Sequence, residues 1–132
     1  MIVLDTHVLV WWLSTDRSRI STLVADRIIR ELASGEVIVS SITAWEIAML
    51  VAKNKLDLSV DILTWLDIAG QLEGLRFVPV DTVVAAKSNM LPGEFHADPA
   101  DRIIVALARE LGAALVTADE KIRRYPHVRT IW

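Results

Sequence analysis

The chain has 132 residues, no cysteine and a formal net charge of −3, and 53% of its residues are hydrophobic. These values exclude a disulfide scaffold or thiolate metal site and leave ample material for one core, so residues 1–132 are expected to form a single domain. Glu46, Lys53 and Asp67 break up the richest apolar regions and the start has no basic-then-apolar leader, which predicts a cytoplasmic protein with no membrane partner.

Met1–Leu4 is short and partly β-branched and predicts a strand, after which Asp5-Thr6 signals a helix start before Val8–Leu13. Ile20, Val24, Ile28 and Leu32 repeat every four residues and predict an amphipathic helix stopped at Gly35. Val37–Val39 reads as a second strand, ended by Ser40-Ser41, and Ala44–Ala52 as a helix, with Asn54 suited to a left-handed cap. Ile62, Trp65, Leu66 and Ala69 space out one face of another helix. Phe77–Val80 predicts a strand whose Pro79 places it at an edge or a strand end, and Asp81 caps a short helix to about Ser88. Leu91–Ala97 is a loop, and Asp98-Pro99 opens a helix that runs to Gly112. Ala113–Val116 predicts a buried strand, Asp119–Arg124 a short helix and Val128–Ile131 a last strand. Strands alternating with helices through short connections imply an α/β protein, a parallel sheet with helices on both faces.

Four acids recur where a strand gives way to a helix: Asp5, Glu46, Asp101 and Asp119. Each has an ordinary explanation. Asp5 suits a helix cap, Thr43–Glu46 and Thr117–Glu120 have capping-box spacing, and Asp98-Pro99 is a strong cap with Asp101 near the helix dipole. Their joint placement argues for more, because all strands of a parallel sheet deliver their carboxyl ends to one edge. Two carboxylates about 5 Å apart repel by roughly 3 kcal/mol at an effective dielectric near 20, so four together call for a cation. Oxygen-only ligands select a hard ion, Mg²⁺ or Mn²⁺, and such an ion suits phosphodiester hydrolysis by activated water.

The acidic balance runs against the basic footprint usual for nucleic-acid binding, although a bound cation can itself face phosphate, and Arg102, Arg109, Lys121, Arg123, Arg124 and Arg129 concentrate late in the chain. Thr6 and Thr117 adjoin acids and suit either a metal-bound water or a cap. Arg102 suits orienting a carboxylate, holding phosphate or a surface ion pair. His7, His96 and His127 have no ligand spacing. Trp45 and Trp65 read as core, and Trp11-Trp12 as core, an interface or base-stacking groups. Apolar positions exceed what a small core needs, and with Trp11, Trp12 and the Ile20–Leu32 helix they predict a homodimer.

Leu4-Asp5-Thr6-His7, Trp45-Glu46-Ile47, His96-Ala97-Asp98-Pro99-Ala100-Asp101-Arg102 and Leu115-Val116-Thr117-Ala118-Asp119 together resemble the PIN-domain family, in particular the VapC-type toxins of toxin–antitoxin pairs. The likeness spans almost the whole chain. It implies a three-layer α/β/α fold with a five-stranded parallel sheet, Mg²⁺- or Mn²⁺-dependent endoribonuclease activity, and inhibition by a small VapB-type antitoxin. Carried over motif by motif, Asp5, Glu46, Asp101 and Asp119 are the acidic metal-binding and catalytic quartet, with Asp98 an orienting acid beside it. Lys53-Asn54-Lys55-Leu56 matches a Gly-Lys-Leu stretch of the family with Asn54 in the glycine place, a mild departure because asparagine tolerates the same backbone region. Two other readings stand beside this one. One is a stand-alone PIN nuclease of RNA processing, the other a non-catalytic α/β interaction module whose acids only cap helices.

Overall fold

A computed structural model describes residues 1–132. The elements run β1 (Ile2–Leu4), α1 (Thr6–Leu13), α2 (Thr22–Ala33), β2 (Val37–Ser40), α3 (Ile42–Ala52), α4 (Ile62–Gly70), β3 (Leu75–Val78), α5 (Thr82–Lys87), α6 (Pro99–Leu111), β4 (Ala114–Val116), α7 (Glu120–Arg123) and β5 (Thr130–Ile131). All five strands are parallel, in the order β3-β2-β1-β4-β5. Alternation along each strand feeds two cores. Ile2, Leu4, Val37 and Val39 face the layer of α1 to α4, whereas Val3, Ile38 and Leu115 face α5 to α7. The result is the expected three-layer α/β/α arrangement with a sheet buried on both sides.

The strand order decides where a site can form. From β1 the chain adds β2 and then β3 on one side, after which α6 carries it back so that β4 pairs with β1. The connections after β1 and β4 therefore diverge to opposite sides and leave a crevice between them at the carboxyl edge. Leu4 pairs with Val116, so Asp5 and Thr117 leave that edge side by side.

Local signals held at most junctions. Asn54 takes the left-handed conformation at φ 56°, as its place after α3 requires, and Gly112 does the same after α6 at φ 61°. β3 begins earlier than Phe77 and ends before Pro79, which has no N–H to continue the ladder, and β5 is only two residues long. Trp45 is not core, being 57% exposed, because α3 buries Thr43 and Ile47 and position 45 falls on the opposite face. Trp12 and the Ile20, Val24, Ile28 stripe are buried within the chain and cannot form a dimer face. No helix is long and apolar enough to cross a membrane.

Candidate metal centre at the carboxyl edge of the sheet

Asp5 caps α1 and is buried. Its Oδ1 accepts the Thr6 backbone N–H at 2.8 Å, and its Oδ2 accepts the Thr117 hydroxyl at 2.6 Å. Thr117 Oγ1 in turn accepts the Asp119 N–H at 3.0 Å, so one hydroxyl ties together the acids that follow β1 and β4. The Thr117–Glu120 capping box does not form. Asp119 itself caps α7, accepting from Lys121 N and Ile122 N, and Glu120 pairs with Arg124 at 2.8 Å. Thr6 lies beneath the site, its hydroxyl 3.0 Å from that of Thr43, and braces α1 against α3.

The Thr43–Glu46 capping box fails as well, because α3 starts at Ile42 and Thr43 is already inside it. Glu46 therefore caps nothing. Its Oε1 is buried without a hydrogen-bond partner, an arrangement that is costly unless something occupies it. Asp98 caps α6, accepting the Asp101 N–H at 3.0 Å, with Pro99 at the first helical position. Asp101 then stands in the first turn, and Glu46, Asp98 and Asp101 each offer an oxygen within 4.8 Å of the others. Asp98 thus both caps α6 and sits among the clustered acids. A cleft of about 420 Å³ contains Asp5, Glu46, Asp98, Asp101 and Asp119, with His7, Trp11 and Ala118 completing its walls. No lysine or arginine lines it.

The crowding is visible in proton affinity. Asp101 is pushed up from 3.8 to about 8, first by burial and then by the charges of Asp5, Asp98, Asp119 and Glu46. Burial is also the main cause that raises Asp5, against the lowering effect of the Thr117 and Thr6 hydrogen bonds. Glu46 is raised by burial, with the Thr6 hydroxyl acting against it and the Asp5 charge adding to it. A helix-capping set has no reason to cluster in this way, and Glu46 and Asp101 are not caps at all. An all-oxygen donor set, an unpartnered buried carboxylate oxygen and an acid that holds its proton to about pH 8 fit a hard divalent cation.

Arg102 touches no carboxylate. Its Nε donates to Ser88 O at 2.8 Å and its Nη1 to Phe95 O and His96 O at 2.9 and 3.1 Å, so it clasps the loop before α6. The structure thus shows neither the carboxylate contact nor the surface ion pair expected of Arg102, because one carbonyl at the end of α5 and two of the loop occupy its planar fork. The loop also brings His96 Nε2 to 3.1 Å from Asp101 Oδ2, near enough for ion pairing although the angle misses a hydrogen bond. Arg102→Lys cannot span three acceptors. It is expected to cost about 2 kcal/mol of stability and to weaken Mn²⁺ binding about tenfold, measured by denaturation and metal titration.

A family profile described as PIN domain matches residues 2–128. Ribonuclease VapC22 of Mycobacterium tuberculosis is 37% identical over 133 residues, covering 99% of this chain and 98% of that protein. Two solved assemblies are similar in fold: VapBC2 from Rickettsia felis bound to a promoter DNA fragment, with a TM-score of 0.70, 19% identity and 99% and 98% of the two chains covered, and DNA-bound VapBC from Salmonella typhimurium, with 0.69, 20%, and 98% and 96%.

Proposed function

The chain belongs to the PIN-domain family, and from that premise we propose that it is a VapC-type toxin, an endoribonuclease that hydrolyses RNA phosphodiester bonds with Mg²⁺ or Mn²⁺. The observation that carries this reading is the convergence of five carboxylates in one cleft, with no lysine or arginine among them and one buried oxygen unpartnered. Asp5, Asp101 and Asp119 would hold the ion, and Asp98 and Glu46 would complete the set. When bound, the ion supplies charge neutralisation at the phosphodiester and makes water a usable nucleophile near neutral pH. Thr117 fixes the Asp5 carboxylate by its hydrogen bond, and its link to Asp119 N holds the two acids in register. Glu46, one turn into α3, would complete the ion's ligands or help to orient the attacking water. Arg102 keeps the loop bearing His96 and Asp98 in place.

The raised proton affinity of Asp101 gives this site a pH signature. The cation must displace a proton held up to about pH 8, so Mn²⁺ affinity is expected to rise with pH until about 8 and to level off above it. Calorimetric titration from pH 6 to 9 reads this directly, and a flat profile would contradict it.

The toxin assignment adds a partner and a place. The similar assemblies pair VapC-type chains with VapB proteins, and this chain would bind a small VapB-type antitoxin in the cytoplasm. α4 buries Trp65 and Ala69 while leaving Leu63 75% exposed and Ile68 52% exposed, which supports a protein partner there. The homodimer is proposed on the same kind of ground: Trp12 and the Ile20, Val24, Ile28 stripe are internal, but Leu23 and Ile29 of α2 are exposed and Trp11 is only partly buried. Expression alone should arrest growth, co-expression with a cognate VapB-type antitoxin should relieve it, and the purified complex should contain both chains. Cleavage of RNA without growth arrest would leave the nuclease and remove the toxin.

A further inference from the structure

The cleft has one large aromatic wall among its acids, and the mechanism above makes no use of it. Trp11 and Trp12 are adjacent on α1 but have opposite fates. Trp12 is 4% exposed and belongs to the core, while Trp11 is only partly buried and lines the cleft with the five carboxylates. His7 lies one turn before Trp11 on the same helix face, their ring centroids 6.0 Å apart, and it too lines the cleft. Trp132 also packs against Trp11, its ring centroid 5.8 Å away and tilted by 46°. The Arg19 guanidinium lies 5.3 Å from the Trp11 ring centre and takes part in no ion pair.

The result is an aromatic strip with a guanidinium held over its tryptophan and engaged by no acid, beginning where the carboxylates end. An RNA strand whose phosphodiester lies among the carboxylates must place its neighbouring nucleotides somewhere, and the acids repel their phosphates. Trp11 offers the apolar surface on which a base can lie, and Arg19 the charge for the phosphate beyond it. A base in a duplex is already stacked and paired on both sides, so only an unpaired nucleotide can use such a surface.

We propose that Trp11, packed against His7 and Trp132 and with Arg19 over its ring, is a base-stacking subsite that holds the unpaired nucleotide beside the scissile phosphate. This inference rests on the ribonuclease reading and adds a substrate-positioning residue to it.

The test compares Trp11→Leu, Trp11→Phe and Arg19→Gln with wild type on a single-stranded oligoribonucleotide and on a hairpin that pairs the same sequence. Trp11→Leu should raise KM for the single strand about tenfold with kcat changed less than about twofold, and Trp11→Phe should recover most of the loss. Arg19→Gln, on an exposed loop, should raise KM about threefold and flatten its salt dependence. A folded Trp11→Leu protein with wild-type KM, or an equal rise on the hairpin, overturns the subsite and leaves the nuclease standing. If Trp11→Leu does not fold, the Arg19→Gln salt dependence decides, and an unchanged slope overturns the proposal.

Failure of the nuclease reading itself is separately visible. In that case wild type cleaves neither RNA, yet a single-stranded 2′-O-methyl oligonucleotide should still quench tryptophan fluorescence, less so in Trp11→Phe. Quenching that is absent, or identical in the variant, counts against the subsite on its own.

Discussion

Asp101→Asn is expected to stabilise the metal-free protein while slowing RNA cleavage by at least about 100-fold, on the several kcal/mol that a positioned metal contributes. The two effects have one cause. Asp101 is held up at about 8 by burial and by four neighbouring acids, so its ionised form is disfavoured in the folded state. Below its ordinary value of 3.8 it is protonated whether folded or not, and the site costs nothing. As pH rises towards about 8 the unfolded chain releases that proton and the folded chain retains it, so stability declines through this window. Above it the folded protein carries the full repulsion. Asparagine has nearly the same shape without the charge, so the variant should gain roughly 2–5 kcal/mol at pH 9 in a chelator, at ~1.4 kcal/mol per pKa unit, and little at pH 4. Saturating Mn²⁺ should reverse the order, because wild type gains binding energy that the variant lacks. Denaturation at both pH values, with and without metal, checks the whole pattern.

Gly74→Ala should cost about 4 kcal/mol or more, a large share of the 5–15 kcal/mol typical of a domain. Gly74 has φ +88°, and an added Cβ would lie 1.9 Å from Leu32 O and 2.7 Å from Leu32 C. The obstacle is backbone at the end of α2 and cannot rotate away. Gly74 O also accepts the Val37 N–H at 3.2 Å, so any shift disturbs the start of β2 and its pairing with β3. Gly35 is an internal control. Its φ is +71° but nothing lies within 4 Å of the added atom, so Gly35→Ala should lose only the ~1–2 kcal/mol of a left-handed side chain. Equal losses in the two variants, measured by chemical denaturation, would show that the close approach is not what matters.

Gly74 also marks where the sequence is hard to read. Nothing local distinguishes it from a loop glycine, because its constraint comes from a carbonyl 42 residues earlier in the chain. Capping motifs misled for a related reason. Thr43 and Thr117 have the right spacing to their glutamates, but pairing after β2 and β4 decides where α3 and α7 begin, and both threonines turn to tertiary partners instead. Asp5, Asp98, Asp101 and Asp119 were legible because each sits at a junction defined by short-range signals, and a parallel sheet sends such junctions to one edge. The link from Thr117 to Asp5 spans 112 positions and depends on β1 and β4 being neighbours. Arg102 was legible as important, yet its role was not, since the carbonyls it clasps belong to a loop with no periodicity.

Asp5 alone is bonded across the crevice while lining the cleft, which makes it the most exacting residue to substitute. The direct measurement is the rate of RNA cleavage against Mn²⁺ concentration for the purified chain, freed of any partner, beside Asp5→Asn. Wild type should show saturable metal-dependent cleavage abolished by chelator, and Asp5→Asn should lose at least about 100-fold at every metal concentration. Cleavage by Asp5→Asn at the wild-type rate, or none by wild type at any Mn²⁺ or Mg²⁺ concentration, would contradict the assignment of this cleft as a metal-dependent ribonuclease centre.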